Sequence, residues 1–300
     1  MTWTDHRIQA GGYSAVFTAR AGALRQLRHG DRDLVLPFPA GGPIPDFRGI
    51  IAAPWPNRIA DGRYSFDGES HRLPVNEPGR GCALHGLALG QDWIAEARRE
   101  SSLVLSCTLG PAPGYPFAVR LTAGYWLDGD GLHAEVTASN AGDRAAPYGV
   151  CPHPYLLAGP APLDEWTLEF RADTFLAADP ERRLPAGRQP VRGHAYDFNT
   201  PRPIGATMID DAFTGLGFDD GGCTRLLVRD PGGGGVGMSW DRNLPWLQLY
   251  TGDTGPPRPG RAGLAVEPMS CPPDAFNSGD DLVRLEPGES HRASWSIFAV

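Results

Sequence analysis

Short alternating runs of apolar and polar residues, separated by turn signals, restrict the fold of this chain more than any other feature. Residues 63–74 alternate on both sides of Asp67-Gly68, and residues 117–138 alternate on both sides of 128–131. An Asp-Gly pair between alternating runs predicts a β-hairpin, because the tight turn needs residues that tolerate positive φ. The 39 glycines and 30 prolines are scattered through 300 residues, which favours many turns and few long helices.

Further strands are predicted wherever a short apolar run is bounded by turn residues. These runs lie at residues 12–20, 24–36, 103–109, 166–170, 225–229, 237–240, 246–251, 264–267 and 294–300. Residues 176–206 and 252–262 are rich in Pro, Gly and Arg and are expected to form long loops. No segment shows a long apolar stripe of helical period, and nothing resembles a linker. We therefore predict a single all-β domain over residues 1–300, a large antiparallel β-sandwich of two packed sheets.

Net charge, the length of apolar runs and the cysteines indicate which partners and which compartment to expect. The net charge is −8, without a block of five like charges, so we expect no basic surface for nucleic acid or an anionic membrane. The N-terminus lacks the apolar core of a signal peptide, and no apolar run is long enough to cross a bilayer. The five cysteines, at positions 82, 107, 151, 223 and 271, share no C-x-x-C spacing. Reduced thiols in a cytoplasmic protein are the simplest expectation.

Two prolines hold a histidine in extended backbone at residues 152–154. Proline fixes φ, lacks an N–H and biases the preceding residue towards extended conformations, so His153 lies on stiff backbone. Far downstream, the apolar run 263–266 ends in Glu267, which is also followed by a proline. A histidine and a carboxylate held in this way form a candidate acid/base pair. From the first motif alone, a structural histidine at a strand end explains the pattern equally well.

Four further stretches carry polar residues suited to ligand binding, and each also has a plain structural explanation. They are Trp55 with Asn57 and Arg58 around two prolines, His85 before Gly86, the adjacent Asp210 and Asp211, and Gln248 on one strand face with Trp246 and Tyr250. The structural explanations are, in the same order, a rigid surface loop, a histidine in a turn, solvated turn carboxylates and a solvent-facing strand. A glutamine between aromatic residues also suits a sugar, which has apolar C–H faces and hydroxyl edges. Residues 274–277, which include Phe276, are expected to begin a short helix.

In order along the chain, six elements between residue 48 and the C-terminus resemble the aldose 1-epimerase (galactose mutarotase) family. They are Asn57-Arg58-Ile59 with Gly62 and Tyr64, Leu84-His85-Gly86, His153-Pro154-Tyr155, Asp210-Asp211-Ala212-Phe213, Leu247-Gln248-Leu249-Tyr250, and Glu267-Pro268 with Asp274-Ala275-Phe276-Asn277. One such element is weakly specific, and six in one order are strongly specific. The match is closest to bacterial members that carry Ala-Pro-Trp-Pro-Asn-Arg, as residues 53–58 do here. Pro154 and Asp211 depart from typical galactose mutarotases, and these departures leave the sugar open.

The resemblance implies a β-sandwich of the large supersandwich kind and an isomerase that interconverts the α and β anomers of a free sugar. A cyclic aldose opens when its C1 hydroxyl loses a proton and its ring oxygen gains one. One base and one acid therefore suffice, without a metal, a redox cofactor or a covalent nucleophile. By resemblance Glu267 is the base and His153 is the acid. The implied substrate-binding residues are Arg58 and His85, which would stabilise developing charge, Asp210, which would accept hydrogen bonds from hydroxyls, Asn57, and the pocket-wall residues Gln248, Trp55 and Phe276.

Other functional classes stay open on the sequence alone. His85, His153, Asp210 and Glu267 could ligate a metal, although their wide spacing lacks the regularity of a metal motif. A non-catalytic sugar-binding β-sandwich is the second class, and a glycosidase would need two carboxylates at the bond. We expect a free monosaccharide as the partner, with no cofactor and no metal. Glucose, galactose, a deoxy sugar and a sulfonated sugar such as sulfoquinovose are all open, as are a monomer and a homodimer.

Overall fold

Antiparallel strands make up nearly all of the regular structure in the computed structural model, which describes residues 3–253 and 260–300. The strands of the first half are β1 (Asp5–Ala10), β2 (Tyr13–Thr18), β3 (Leu24–His29), β4 (Arg32–Asp33), β5 (Ile51–Ala52), β6 (Arg58–Ala60), β7 (Arg63–Phe66), β8 (Glu69–Arg72), β9 (Cys82–Leu84), β10 (Ile94–Arg98), β11 (Ser102–Leu109), β12 (Val119–Asp128) and β13 (Gly131–Asn140). Those of the second half are β14 (Ala146–Tyr148), β15 (Cys151–Pro152), β16 (Tyr155–Leu156), β17 (Thr167–Phe170), β18 (Thr174–Ala178), β19 (Pro185–Pro190), β20 (Arg202–Pro203), β21 (Asp210–Thr214), β22 (Cys223–Arg229), β23 (Gly235–Asp241), β24 (Trp246–Tyr250), β25 (Leu264–Met269), β26 (Val283–Leu285) and β27 (Ser290–Ala299).

Helical structure is confined to short pieces in the described part of the chain. The expected short helix is present as α1 (Ala275–Ser278), and single 3₁₀ turns lie at Pro45–Phe47, Ala88–Gly90 and Leu163–Glu165. None of these helices, within residues 3–253 and 260–300, has the length and apolarity that a membrane-spanning helix requires.

Two large sheets pack face to face around the main core. The first has nine strands in the order β10-β11-β12-β13-β27-β23-β22-β17-β20, and the second has six in the order β16-β25-β24-β21-β18-β19. Phe170 of β17 meets Phe213 of β21 edge to face, with ring centroids 5.1 Å apart, so the apolar faces of the two sheets are in contact. The predicted all-β antiparallel sandwich is confirmed. A further sheet of β1 to β4 packs on the nine-stranded sheet, with the rings of Phe17 and Tyr125 4.1 Å apart.

Both predicted hairpins are present. Strands β7 and β8 pair in register around Asp67 and Gly68, which have φ values of 50° and 79°. Positive φ at both turn residues matches the right-handed twist of the flanking strands. Strands β12 and β13 pair along their full length, from Val119 opposite Asn140 to Asp128 opposite Gly131.

Three expectations about the secondary structure need correction. The run 24–36 is two strands and not one, because the chain turns at Gly30, whose φ is 57°. The predicted loop 176–206 instead contains the last residues of β18 and all of β19 and β20. Backbone pairing with a neighbouring strand does not require an apolar sequence, so no apolar pattern predicted these strands. Strands β1 and β10 were not anticipated at all, and β10 is exposed along its length. Of the predicted loop 252–262, residues 254–259 lie outside the described residues.

One face of the six-stranded sheet positions the candidate site. On its strands β24 and β25, Gln248 pairs directly with Glu267, and on β21 and β24 Asp210 pairs with Tyr250. Side chains of directly opposed residues point to the same face of a sheet. The register alone therefore collects a carboxylate, an amide and a second carboxylate above adjacent strands.

Candidate active site

The polar side chains singled out from the sequence converge on one cavity of about 230 Å³. Seven of the nine predicted site residues line it, namely His153, Glu267, His85, Arg58, Asn57, Asp210 and Gln248. Strands of the six-stranded sheet carry Asp210, Gln248 and Glu267, whereas the histidines, Asn57 and Arg58 arrive on short strands and loops that cover this face. Residues separated by more than two hundred positions thus share one site.

Glu267 and His153 form a buried pair at the centre of the cavity. His153 Nε2 lies 3.3 Å from Glu267 Oε1, and the side chains of His153 and Glu267 are 5% and 3% exposed. The other carboxyl oxygen, Oε2, faces the thiol of Cys151 at 3.9 Å. His153 is held by its backbone, whose N–H donates to the Ile50 carbonyl at 3.0 Å and whose carbonyl accepts from Gly49 N–H at 2.8 Å. The stiff segment predicted from the two prolines is therefore tied at both polar groups of the histidine.

Burial favours the uncharged form of both members of this pair. It raises the pKa of Glu267 well above the ordinary range, and the nearby negative charge of Asp210 adds to the effect. Burial likewise lowers the pKa of His153 to about 4. A carboxyl and an imidazole in contact titrate as a unit. Between the titrations of His153 and Glu267 the pair carries one proton, and burial favours its residence on Glu267.

A strained turn aims His85 at this pair. His85 has φ 57°, and its N–H donates to the carbonyl of Asn57, which itself has φ 52°. Next to it, a Cβ on Gly86 would lie 2.1 Å from the Ala53 carbonyl oxygen, so only glycine fits. The His85 ring meets the His153 ring edge-on at 5.0 Å. Burial, followed by the charges of His153 and Arg58, holds the pKa of His85 well below its usual value.

Glu77 holds Arg58, and sequence reasoning missed it. Arg58 donates from Nε and Nη2 to the two Glu77 carboxylate oxygens at 2.7 and 2.9 Å, while its Nη1 donates to the Asn57 amide oxygen at 3.3 Å. Arg80 also donates to Glu77, at 2.8 Å. Burial alone would lower the pKa of Arg58, but the hydrogen bonds and charge of Glu77 raise it. Glu77 stands in a polar stretch with no motif of its own, so nothing in the sequence linked it to Arg58.

Of the two adjacent aspartates, Asp210 lines the cavity and Asp211 does not. Gln248 Nε2 donates to Asp210 Oδ1 at 3.0 Å, and Arg183 Nε donates to its Oδ2 at 3.0 Å. Burial raises the pKa of Asp210, and the charges of Arg183 and Arg58 oppose this rise. Asp211 instead accepts from the Ala178 N–H and from the Tyr196 hydroxyl, each at 2.9 Å. Asp211 therefore has a structural role, because it ties β21 to β18 and to Tyr196.

Two predicted wall residues lie behind the cavity and not in its lining. Trp55 is 3% exposed, and its indole N–H donates to the Ala83 carbonyl at 3.3 Å. Its ring packs edge-on against Phe276 at 5.9 Å, and Phe276 packs against Tyr64 at 4.9 Å. The two aromatic residues support the loop that carries Asn57 and Arg58. The aromatic side chains in the lining are instead Phe47, Tyr155 and Tyr250, of which Phe47 stands in a Gly- and Pro-rich loop without a recognisable signal.

Several buried polar atoms of the site lack a hydrogen-bond partner among residues 3–253 and 260–300. They are Nδ1 of His85, Nδ1 of His153 and the amide Oε1 of Gln248. Buried polar groups in proteins are normally paired, and a group left unpaired calls for an explanation. A ligand rich in hydroxyl groups, which both donate and accept, would pair with such atoms.

The same residues include a possible set of metal ligands. One atom each from His85, His153 and Glu267 lie within 4.8 Å of one another. A metal-binding histidine nearly always donates its second ring N–H to a carboxylate or a carbonyl, which orients the ring. Neither Nδ1 has such a partner within the described ranges. Histidines that bound a metal here through Nε2 would therefore lack the second partner that usually orients the ring.

Comparisons with known proteins find similarity to aldose epimerases and mutarotases. Residues 5–297 match the family model described as aldose 1-epimerase. The uncharacterised protein YihR of Escherichia coli K12 is 35% identical over 293 residues, which cover 97% of this chain and 92% of that protein. Human galactose mutarotase is 30% identical over 271 residues, 81% of this chain and 76% of its own length.

Solved structures share the fold. A GalM/aldose epimerase homologue from C. elegans superposes with a TM-score of 0.87 at 20% identity, covering 99% of both chains. A galactose 1-epimerase from Lactobacillus acidophilus superposes with a TM-score of 0.78 at 21% identity, covering 97% of this chain and 92% of its own. At these identities the likeness establishes the architecture.

Proposed function

The chain belongs to the aldose 1-epimerase family, and we propose that it interconverts the anomers of a free aldose with Glu267 as base and His153 as acid. The observation that carries the proposal is the 3.3 Å contact between His153 Nε2 and Glu267 Oε1 inside a cavity lined by hydroxyl-binding side chains. Human galactose mutarotase, a relative at 30% identity, is named for an activity of this kind. Family membership makes the protein an isomerase.

The chemistry balances with a single proton on the pair. Glu267 as carboxylate takes the proton of the C1 hydroxyl while His153 as imidazolium gives a proton to the ring oxygen, and the bond between C1 and the ring oxygen breaks. The pair is then left uncharged, the form that burial favours, beside an open-chain aldehyde. Rotation about C1–C2 presents the other face of the carbonyl. Reclosure runs the two proton transfers in reverse and restores the starting form of the pair.

The remaining lining residues hold the sugar and the developing charge. Arg58 is oriented by the bidentate bond to Glu77, and with His85 it supports the oxygen atoms that change charge during opening. Asp210 and Gln248, joined at 3.0 Å, offer acceptors and a donor to ring hydroxyls. Asn57 positions Arg58 through its side chain and His85 through its backbone. This division leaves the proton transfers to Glu267 and His153.

A sulfonated hexose is a second candidate substrate, supported by one cationic stretch of a cavity wall that also carries the carboxyl groups of Asp46, Asp210 and Glu267. Arg58, Glu77 and Arg80 form one hydrogen-bonded chain that lines the cavity and carries one net positive charge. Such a chain can pair with an anionic substituent. Neutral aldoses such as glucose, galactose and a deoxy sugar need no such charge, so the comparison between neutral and anionic sugars separates the two candidates.

NMR exchange spectroscopy at anomeric equilibrium tests the proposal. The protein is mixed in turn with glucose, galactose, fucose and sulfoquinovose, and exchange between the α and β anomeric protons is compared with that in enzyme-free samples. At least one sugar should exchange much faster with the protein present. Methyl glycosides, which cannot open, serve as the control and should show no change. Absence of accelerated exchange for every sugar, or hydrolysis of the methyl glycosides, would contradict the proposal.

A further inference from the structure

We propose that Phe47, on a strained turn beside His153, is the apolar platform against which the sugar ring stacks, an inference that rests on the proposed function. A pyranose has a face of C–H groups, and a polar cavity with no apolar surface would leave that face unmatched. Phe47 is half-buried and lines the cavity together with the acid/base pair. It was not among the residues predicted from the sequence.

The ring of Phe47 lies against the catalytic imidazoles. Its centroid is 4.8 Å from that of His85 and 6.1 Å from that of His153. Tyr155, another aromatic residue of the lining, already stacks on His153 at 5.5 Å and carries the Arg48 guanidinium over its ring at 5.7 Å. Tyr155 thus already contacts two protein groups, and Phe47 lines the same cavity beside both histidines.

The backbone of Phe47 is strained. Asp46 and Phe47 have consecutive positive φ values of 48° and 59°. Aspartate tolerates this region, but a bulky aromatic residue seldom occupies it. Such strain persists only where the surroundings enforce it, and it concentrates at functional sites. A glycine would fit this position without strain, so an aromatic ring on this strained backbone points to a use for the ring.

The turn is locked to the backbone of the acid. Ile50 N–H donates to the Phe47 carbonyl at 3.3 Å, and Gly49 N–H donates to the His153 carbonyl at 2.8 Å. Gly49 cannot be replaced without a clash, since a Cβ there would lie 2.0 Å from the Leu24 carbonyl oxygen. The backbone segments that carry Phe47 and His153 are therefore held against each other, as a platform next to a proton donor requires.

A purely structural role for Phe47 makes a different prediction. Its ring also packs against a small buried cluster that includes Phe38, Ile50 and Trp246. Were this packing its only role, removal of the ring would lower thermal stability and leave sugar affinity unchanged. The platform role instead requires that affinity falls. Stability and affinity must therefore be measured on the same variants.

Three variants separate the two roles. Phe47→Gly deletes the ring and accepts the positive φ, so it relieves backbone strain and keeps the turn. Phe47→Trp keeps an aromatic face. Phe218→Ala is the matched control, because Phe218 is a half-buried phenylalanine under Arg242 that does not line the cavity. KM and kcat are measured for the sugar that wild type exchanges fastest, and Kd is measured by NMR titration for methyl β-glycosides of glucose and galactose.

We expect KM and Kd of Phe47→Gly to rise about two- to twelve-fold, the range of one aromatic contact, with little change in kcat. Phe47→Trp and Phe218→Ala should stay near wild type. Loss of the ring also admits water to His153, whose pKa, lowered to about 4 by burial, should rise towards its ordinary value. The acid limb of the kcat/KM profile should accordingly move to higher pH in Phe47→Gly alone.

Unchanged KM and Kd in Phe47→Gly would overturn the platform, as would equal losses in Phe47→Gly and Phe47→Trp. If wild type exchanges no sugar, the proposed function fails. The Kd values for the methyl glycosides, which need no turnover, then decide the platform by themselves, and an absence of binding by wild type also overturns it.

Discussion

Replacement of Glu267 by glutamine removes the proposed base and keeps the size of the side chain. An amide keeps an oxygen or nitrogen near His153 Nε2, now 3.3 Å from Oε1, and near the Cys151 thiol, 3.9 Å from Oε2. It cannot accept the C1 proton. General acid–base catalysis contributes roughly 10²- to 10⁴-fold, so kcat should fall by about that factor. The loss corresponds to about 2.7 to 5.4 kcal/mol of transition-state stabilisation at about 1.36 kcal/mol per tenfold.

Stability of the Glu267→Gln variant distinguishes loss of chemistry from loss of fold. Because burial raises the folded pKa of Glu267 above its unfolded value, its carboxyl stabilises the fold only at low pH, and that contribution is lost as pH rises through the folded pKa. The neutral amide does not titrate. At pH 8 the variant should therefore be at least as stable as wild type. As pH falls, the free energy of unfolding of wild type should rise relative to that of the variant.

Anomer exchange and thermal unfolding of the same samples provide the assay. The matched control is Asp230→Asn, an acid-to-amide change at another buried carboxylate, which accepts from Ala161 N–H at 2.9 Å and Gly232 N–H at 2.8 Å and does not line the cavity. Asp230→Asn should lose stability and keep its turnover. Near-wild-type turnover of Glu267→Gln, or loss of turnover only in proportion to unfolding, would refute the reasoning.

The remaining predictions concern the metal, the acid and its supports, and the pH profile. Exhaustive chelation should leave activity unchanged, because proton transfer alone opens a hemiacetal; loss on chelation that one divalent ion restores would make His85, His153 and Glu267 ligands. His153→Gln should lower kcat strongly at nearly constant KM, whereas His85→Asn and Arg58→Lys should also raise KM; steady-state kinetics that show the opposite split would exchange the two roles. The plot of kcat/KM against pH should be bell-shaped, since the pair of Glu267 and His153 is active with one proton. Burial lowers the pKa of His153 to about 4 and raises that of Glu267. Activity should therefore persist as pH falls from 7 to 5 and decline near 4. The alkaline limb should be absent in His153→Gln, and its persistence there would mean that another group supplies the proton.

Local signals in the sequence predicted the elements that depend on local chemistry. The turn at Asp67 and Gly68 needs positive φ, and the structure has it. The proline-flanked His153 and the strand-end Glu267 were identified because stiff backbone is visible in the residue order. Arg58 and His85 stood out beside prolines and a glycine, and the resemblance to a family implied their roles. These features are decided by a residue and its immediate neighbours in sequence.

Features that depend on distant contacts could not be predicted in the same way. The resemblance to a family does not tell which side chains border the cavity, so Trp55 and Phe276, expected in its wall, instead pack behind it. Glu77 became part of the site only through its ion pair with Arg58. Phe47 depends on a turn held by His153, more than a hundred residues away. Strand β19 pairs with β18 although all of its residues are exposed, so no apolar pattern marked it.

Retention of oxygen during anomer exchange tests the central claim most directly. The sugar that the protein exchanges fastest is labelled with ¹⁸O at O1, and the isotope shift of its C1 carbon signal in NMR reports the label while exchange spectroscopy reports the anomers. Acid/base opening by Glu267 and His153 breaks the bond between C1 and the ring oxygen, so O1 stays on C1 throughout. The account predicts fast anomer exchange with label loss no faster than in the enzyme-free control. Loss of the label at the rate of anomer exchange would show that the bond between C1 and O1 breaks, and it would contradict the account.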